Sequence, residues 1–249
     1  MALTAERLFG HITHMIEALR RELLLLANPG KAEVLQRFFK TGPGQYGEGD
    51  LFLGVVVPLS RKIAKKYAGL PFEQISRLLE SKIHEERLIA LLILIEQFNR
   101  GDEEKKGRAF HLYLQHTAFI NSWDLVDLSA DKIVGAYLEG RPKDLLRRLA
   151  QSGSIWERRI AIIGTFHFIK QGRHEDTLSI AGLLVRDRED LIHKAVGWML
   201  REVGKRCSEE AEEAFLREHA EHMPRTMLRY ATERFSPEKR RFYLQKKMR

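Results

Sequence analysis

The segment Asn121-Ser-Trp-Asp-Leu-Val-Asp127 holds the residue types best suited to do chemistry. Trp123 and Asp127 stand four residues apart, which on a helix puts an indole and a carboxylate on one face, a turn apart. Such a pair suits a substrate that is flat and positively charged, because the ring face attracts a cation and the carboxylate stabilises one. Two further segments at helical spacing, Trp156-Glu-Arg-Arg159 and Lys194-Ala-Val-Gly-Trp198, supply the other two of the chain's three tryptophans and a group of cations.

Each of these residues has a plainer reading beside the chemical one. Asp127, with Asp124 and Asp131 nearby, either solvates a helix, pairs with a cation, or acts on a substrate; Leu125, Val126 and Leu128 around it argue against simple solvation. Trp156 opens a periodic run and reads as core. Trp198 lies four residues after Lys194 and three before Arg201, so it sits on or beside a basic stripe, where an indole is a stacking platform.

Other constellations carry less. Gly42-Pro-Gly44-Gln-Tyr-Gly47 matches G-x-G-x-x-G, but a dinucleotide site needs a preceding strand and a parallel sheet, and here a helical run precedes it. The stretch reads as an exposed loop whose tip offers Tyr46 to a ligand. His219 and His222 lack a third metal ligand, and Cys207 has no base placed to activate it, so neither a metal nor a cofactor is expected.

The elements that must position these residues are helices. Runs such as Glu86–Glu96 and Arg159–Phe168 repeat with a 3.6-residue period, and no stretch alternates convincingly as a strand. Leu51–Pro58 reads as a buried connection into a helix. Breaks at Asn28-Pro29, Gly69-Leu-Pro71, Gly140-Arg-Pro142 and Ser236-Pro237 separate the runs. Small residues three positions after a basic one recur at Ala90, Ala161 and Gly197, with Ala231 continuing the series, at spacings of 71, 36 and 34. Half of 71 falls near Val126. A unit of about 35 residues holding two helices is the mark of an α-solenoid. The expected fold is therefore all-α, a solenoid whose recurring cations line a concave basic groove. One domain is expected over 1–249, with N-terminal helices at 1–40, a Gly-rich loop at 41–50, repeats at 51–236 and a basic tail at 237–249.

Bulk properties agree with a soluble helical protein of 249 residues, 44% apolar and 31% charged. No apolar run reaches the length of a membrane span, the first residues lack the pattern of a secretion signal, and a single cysteine suits a reducing cytoplasm. The net charge of +8, with six basic and no acidic residues in Lys239–Arg249, points to a polyanionic partner.

Ser-Trp-Asp-Leu-Val-Asp127, Trp-Glu-Arg-Arg-Ile-Ala161, His-Lys-Ala-Val-Gly-Trp-Met-Leu-Arg-Glu202 and Met-Leu-Arg-Tyr-Ala231 together resemble the AlkD-type DNA glycosylases. The resemblance runs in order from about residue 30 to residue 235. It implies HEAT-like repeats and excision of cationic N3- and N7-alkylated purines from duplex DNA, without flipping the base into a pocket. It also implies roles for Asp127, Trp123 and Trp198 at the reacting sugar and for Arg159 at the adjacent phosphate; the recurring cations make Arg158, Lys194 and Arg201 further expected DNA contacts. Some members use an aromatic residue from the N-terminal helices. The local match is Phe38-Phe39, without a hydroxyl, and Tyr46 is the substitute candidate. A monomer acting on alkylated duplex DNA is expected. The competing readings are a non-catalytic helical-repeat module that binds DNA and a protein–protein scaffold; base release separates the first from both.

Overall fold

Side chains and prolines write the helix starts. Asn28 accepts the N–H of Lys31 at 3.0 Å with Pro29 in the first helical position, which opens α2 (Pro29–Phe38). Asp102 caps α6 (Glu103–Gln115) through the Lys105 N–H at 2.9 Å, and Ser208 caps α13 (Glu209–His219) through that of Ala211 at 3.0 Å. The structure, a computed structural model, describes residues 15–245; residues 1–14 of the N-terminal segment and 246–249 of the basic tail lie outside the described residues.

A helix over 15–25, here α1, precedes α2. Then come α3 (Val57–Lys66), α4 (Phe72–Leu79), α5 (His84–Arg100), α6, and α7 (Trp123–Ala130), which continues as a π turn over Asp131–Gly135. They are followed by α8 (Asp144–Ala150), α9 (Ile155–Gly164), α10 (Phe166–Ile169), α11 (Glu175–Leu184), α12 (Asp190–Arg206), α13, α14 (Arg225–Ala231) and α15 (Pro237–Gln245). Among the described residues there is no strand, only a single parallel bridge between Leu51 and Ile83. The fold is all-α. The described part of the basic tail is helical, as α15.

Residue contacts group the chain into two compact units, 1–125 and 126–249. In the first, α5 is the central helix: it packs against α3, α4 and α6 and is buried along nearly its whole length. The 51–56 strap is pinned to its start, as the Glu85 carboxylate accepts the N–H groups of Leu53, Gly54 and Val55 at 2.8–3.2 Å. Gly54 has φ of +81°, and a Cβ there would stand 2.2 Å from the Asn28 carbonyl oxygen, so only glycine lets the strap lie so close. In the second unit α12 is central, packed against α9, α11, α13 and α14.

The repeat is written in hydrogen bonds as well as in apolar phase. The Ser81 hydroxyl accepts the N–H of Ile83, and Arg87 donates to the Ser81 carbonyl. Ser152 and Arg158 repeat this with Ser154, and Asp187 and His193 repeat it with Glu189. In each case a side chain caps the turn and a residue six positions on clamps its carbonyl. These spacings, 71 and 35, make His193 rather than Lys194 the counterpart of Arg158.

Candidate active site

In the first unit the surroundings of Trp123 are aromatic. Its indole N–H donates to the Tyr46 hydroxyl at 3.2 Å, so the Gly-rich loop reaches the start of α7. Its ring stacks on Phe39, with centroids 5.4 Å apart and planes 18° apart, and meets Phe38 edge-on at 6.0 Å. Phe39 stacks in turn on Phe52, and both rings lie against His84, at 5.1 and 4.5 Å. Trp123 is thus the half-buried end of a ring column, while Phe38 remains 60% exposed.

A closed polar cluster lies behind that column. His84 is 2% exposed; its Nε2 bonds Asp124 at 2.8 Å and its Nδ1 faces Asp50 at 3.4 Å. Asp50 also accepts from the Arg87 guanidinium and from the Asn121 amide. Burial works against charge on the imidazole, but the bonds to Asp124 and Asp50 outweigh it and raise its pKa above the ordinary value. Burial likewise opposes ionisation of Asp124 and of Asp50; bonds to His84, and for Asp50 also the charge of Arg87, overcome it and lower both. The two carboxylates therefore favour a charged ring between them, and the first turn of α7 is anchored through Asp124.

In the second unit Asp127 is held by the Arg159 guanidinium. Nε and Nη2 of Arg159 donate to its two oxygens at 2.9 and 2.8 Å, while Nη1 donates to the Leu191 carbonyl at the start of α12. The Arg159 side chain is 5% exposed and that of Asp127 18%. Such a two-pronged pair fixes the carboxylate plane. Of the two roles left open for Asp127, the ion pair is present, and all three guanidinium nitrogens of Arg159, expected on a phosphate, already have protein acceptors.

The other cations divide by exposure. Arg158 donates to Asp187 at 2.7 Å and to the carbonyls of Ser152 and Gly153, which makes it a brace for the turn before α9. Arg87, first of the recurring basic series, is 2% exposed and spent in the same way, so the series does not form one uniform solvent-facing stripe. Lys194 pairs with Asp190 at 2.7 Å, a bond that raises its pKa, and Arg201 pairs with Glu233. Trp198 is half-buried with Phe166 beside it at 5.8 Å, whereas Trp156 is buried. Asp131, four residues after Asp127, is buried and bonded to Lys170 at 2.6 Å. His84 and Asp50 were not singled out by sequence, and Phe39 only as half of the Phe38-Phe39 aromatic match. The available signal was the quartet His84-Glu-Glu-Arg87 heading the apolar run Leu88–Ile95, where charged side chains must find partners inside the protein.

The family model for DNA alkylation repair enzymes matches residues 19–235, which takes in both units and every candidate above. The chain belongs to the DNA alkylation repair enzyme family. Its role is accordingly in DNA repair, and DNA is the partner that membership implies. A solved structure described as a predicted DNA alkylation repair enzyme from Enterococcus faecalis matches with a TM-score of 0.64 over 85% of this chain and 97% of that one. At 18% identity this likeness shows a shared fold. No curated protein matches the chain. Among the described residues no helix is long and apolar enough to cross a membrane, and no three His, Cys, Asp or Glu side chains are grouped to hold a metal.

Proposed function

We propose that this family member is a DNA glycosylase that hydrolyses the N-glycosidic bond of cationic N3- and N7-alkylpurines. One observation carries the reading: Asp127 is an oriented carboxylate, held by a buried guanidinium and still 18% open. An alkylated purine already bears positive charge, so it leaves with the bonding electron pair as a neutral base and needs no acid. The charge then falls on the deoxyribose, and water adds at its C1′ and releases a proton, leaving an abasic site. A carboxylate fixed in advance can stabilise that sugar cation without reorganising.

Arg159 is, in this proposal, the positioning residue for Asp127. Trp123 and Trp198 are assigned to the sugar and the cationic base, each contact being worth roughly 0.5–2 kcal/mol. Lys194 and Arg201 are assigned to the backbone of duplex DNA, Arg158 acts on them through the turn it braces, and Tyr46 acts through Trp123. The protein is proposed to act as a cytoplasmic monomer, without cofactor.

The same ion pair favours a second reading, a DNA-binding module in which Asp127 is only structural. Base release decides between them. On methylated duplex DNA the wild type is expected to release 7-methylguanine or 3-methyladenine, and Asp127→Asn to release them at least tenfold more slowly while keeping its helical circular dichroism. Release at the wild-type rate by folded Asp127→Asn, or none by the wild type, would defeat the proposal.

A further inference from the structure

A cavity of about 510 Å³ opens in the second unit, lined by Arg201, Arg229, Tyr230, Glu233 and Arg240. Arg201 lies one turn beyond Trp198 on α12, Arg229 and Tyr230 come from α14, and Arg240 comes from α15. Gly197 allows this convergence. A Cβ there would stand 2.5 Å from the Met227 carbonyl oxygen and 2.6 Å from the Tyr230 Cβ, so glycine alone lets α14 seat against α12.

The lining carries an excess of two positive charges, three guanidiniums against the Glu233 carboxylate. Glu202, which also approaches Arg201 at 3.7 Å, is engaged more closely by Arg206 at 2.6 Å. Glu212 adds no negative charge at neutral pH, because burial pushes its carboxyl up to about 8. The donors are under-used. Arg201 and Arg240 each have a buried Nε without an acceptor, and Arg229 has no ion-pair partner among the described residues. A guanidinium N–H shielded from water and unbonded is costly, and two of them beside the exposed Arg229 guanidinium around one cavity call for an anion that accepts several bonds at once.

We propose that this cavity is a phosphate pocket that takes one phosphate group of a nucleic-acid strand, gripped by Arg229 and Arg240 with Arg201 beside them. A backbone phosphodiester and a terminal phosphate share the chemistry the pocket recognises. The proposal takes DNA as the partner from the function proposed above, but it does not depend on hydrolysis: a chain that only bound DNA would use the pocket equally.

The test is equilibrium binding of unmodified duplex over a series of salt concentrations. The proteins compared are the wild type, Arg229→Gln/Arg240→Gln, and the charge-matched control Arg147→Gln/Arg148→Gln on the exposed face of α8. Losing one phosphate contact lowers the log–log salt slope by about 0.9. The pocket variant is expected to show that drop and the control a smaller one; the exposed single variant Arg229→Gln shifts the slope the same way without disturbing packing. An unchanged slope in the pocket variants, or an equal drop in the control, overturns the proposal. Strands with and without a 5′-phosphate name the source: a loss on both identifies a backbone phosphate, a loss confined to phosphorylated strands a terminal one. Base release is measured separately, so a wild type that binds with the full slope but releases nothing defeats the glycosylase and leaves the pocket standing.

Discussion

Each compact unit contains a buried arginine paired with an aspartate, Arg87 in the first and Arg159 in the second, and these two pairs differ in their access to water. Arg87 and Asp50 in the first unit are 3% and 7% exposed, and Asp50 is further enclosed by His84 and Asn121. Arg159 and Asp127 in the second are 5% and 18% exposed, with the carboxylate the more open partner. The chemistry of the two pairs is the same. A closed pair can only hold the fold together, whereas the acid of the more open pair is still reached by solvent. Exposure of the acid, not the presence of a guanidinium, separates a structural carboxylate from a candidate reactive one.

Exchanging each acid for its amide is the strongest way to break that comparison. Asp50→Asn leaves Arg87 and His84 facing a neutral group in the interior and is expected to cost about 3–5 kcal/mol of stability. The surviving folded fraction should release base at the wild-type rate. Asp127→Asn is expected to cost less stability, about 1–3 kcal/mol, because water reaches the site. Its effect on rate should span roughly tenfold to a thousandfold, according to how dry the site becomes on DNA. Chemical denaturation and base release on the same samples read both effects. If Asp50→Asn instead lowers turnover as much as Asp127→Asn, exposure is the wrong criterion.

A carboxyl with no ion pair among the described residues sharpens the same point. Glu212 is 3% exposed and lies over Gly204, where its carboxyl occupies the space a Cβ would need. Desolvation, aided by the charge of Glu209, pushes it up to about 8 from an ordinary 4.5. Its folded pKa is therefore raised: the contribution to stability is full below about 4.5 and is lost as pH rises through about 8. Glu212→Gln should abolish that slope and be more stable than the wild type at pH 9, by an amount on the order of 3–5 kcal/mol. Parallel stability curves for the two proteins between pH 5 and 9 would show that this acid ionises freely.

How far the residues themselves disclosed these distinctions depends on distance along the chain. Helices, their breaks at Pro29, Pro71 and Pro237, and the repeat spacing are local signals, and the structure has helices starting there. Asp127 and Trp123 stood out because a carboxylate and an indole at helical spacing are recognisable in a seven-residue window. The cluster behind Trp123 was not legible, since His84 meets Asp50 and Asp124 from 34 and 40 positions away and Tyr46 meets Trp123 from 77. No periodicity encodes such pairings. The commitment of Arg159 to Asp127 is likewise a tertiary fact, invisible in a stretch that simply reads as basic.

His84 allows a smaller test within the closed pair. Its folded pKa is raised, so the stability it lends is complete below its ordinary value near 6.5 and declines as pH climbs through the folded value. His84→Gln keeps one donor for Asp124 but cannot carry charge. It is expected to be less stable than the wild type by about 1–3 kcal/mol at pH 6, with the gap narrowing towards pH 9. A constant gap across that range would mean that the ring is neutral in the folded protein and that Asp124 is held by other bonds.

The mildest change is Tyr46→Phe, which deletes one hydroxyl and leaves the ring. The Trp123 indole would lose the hydrogen bond to that hydroxyl, worth about 0.5–1.5 kcal/mol, yet keep its stack on Phe39. If the loop merely steadies the indole, thermal stability should fall slightly and base release should change by less than about tenfold. If the rate falls as far as in Asp127→Asn while stability is unchanged, the hydroxyl must contact the DNA itself. The first unit would then contribute a hydroxyl to the DNA beside Trp123, and the exposure of one acid against another would no longer account for the rates.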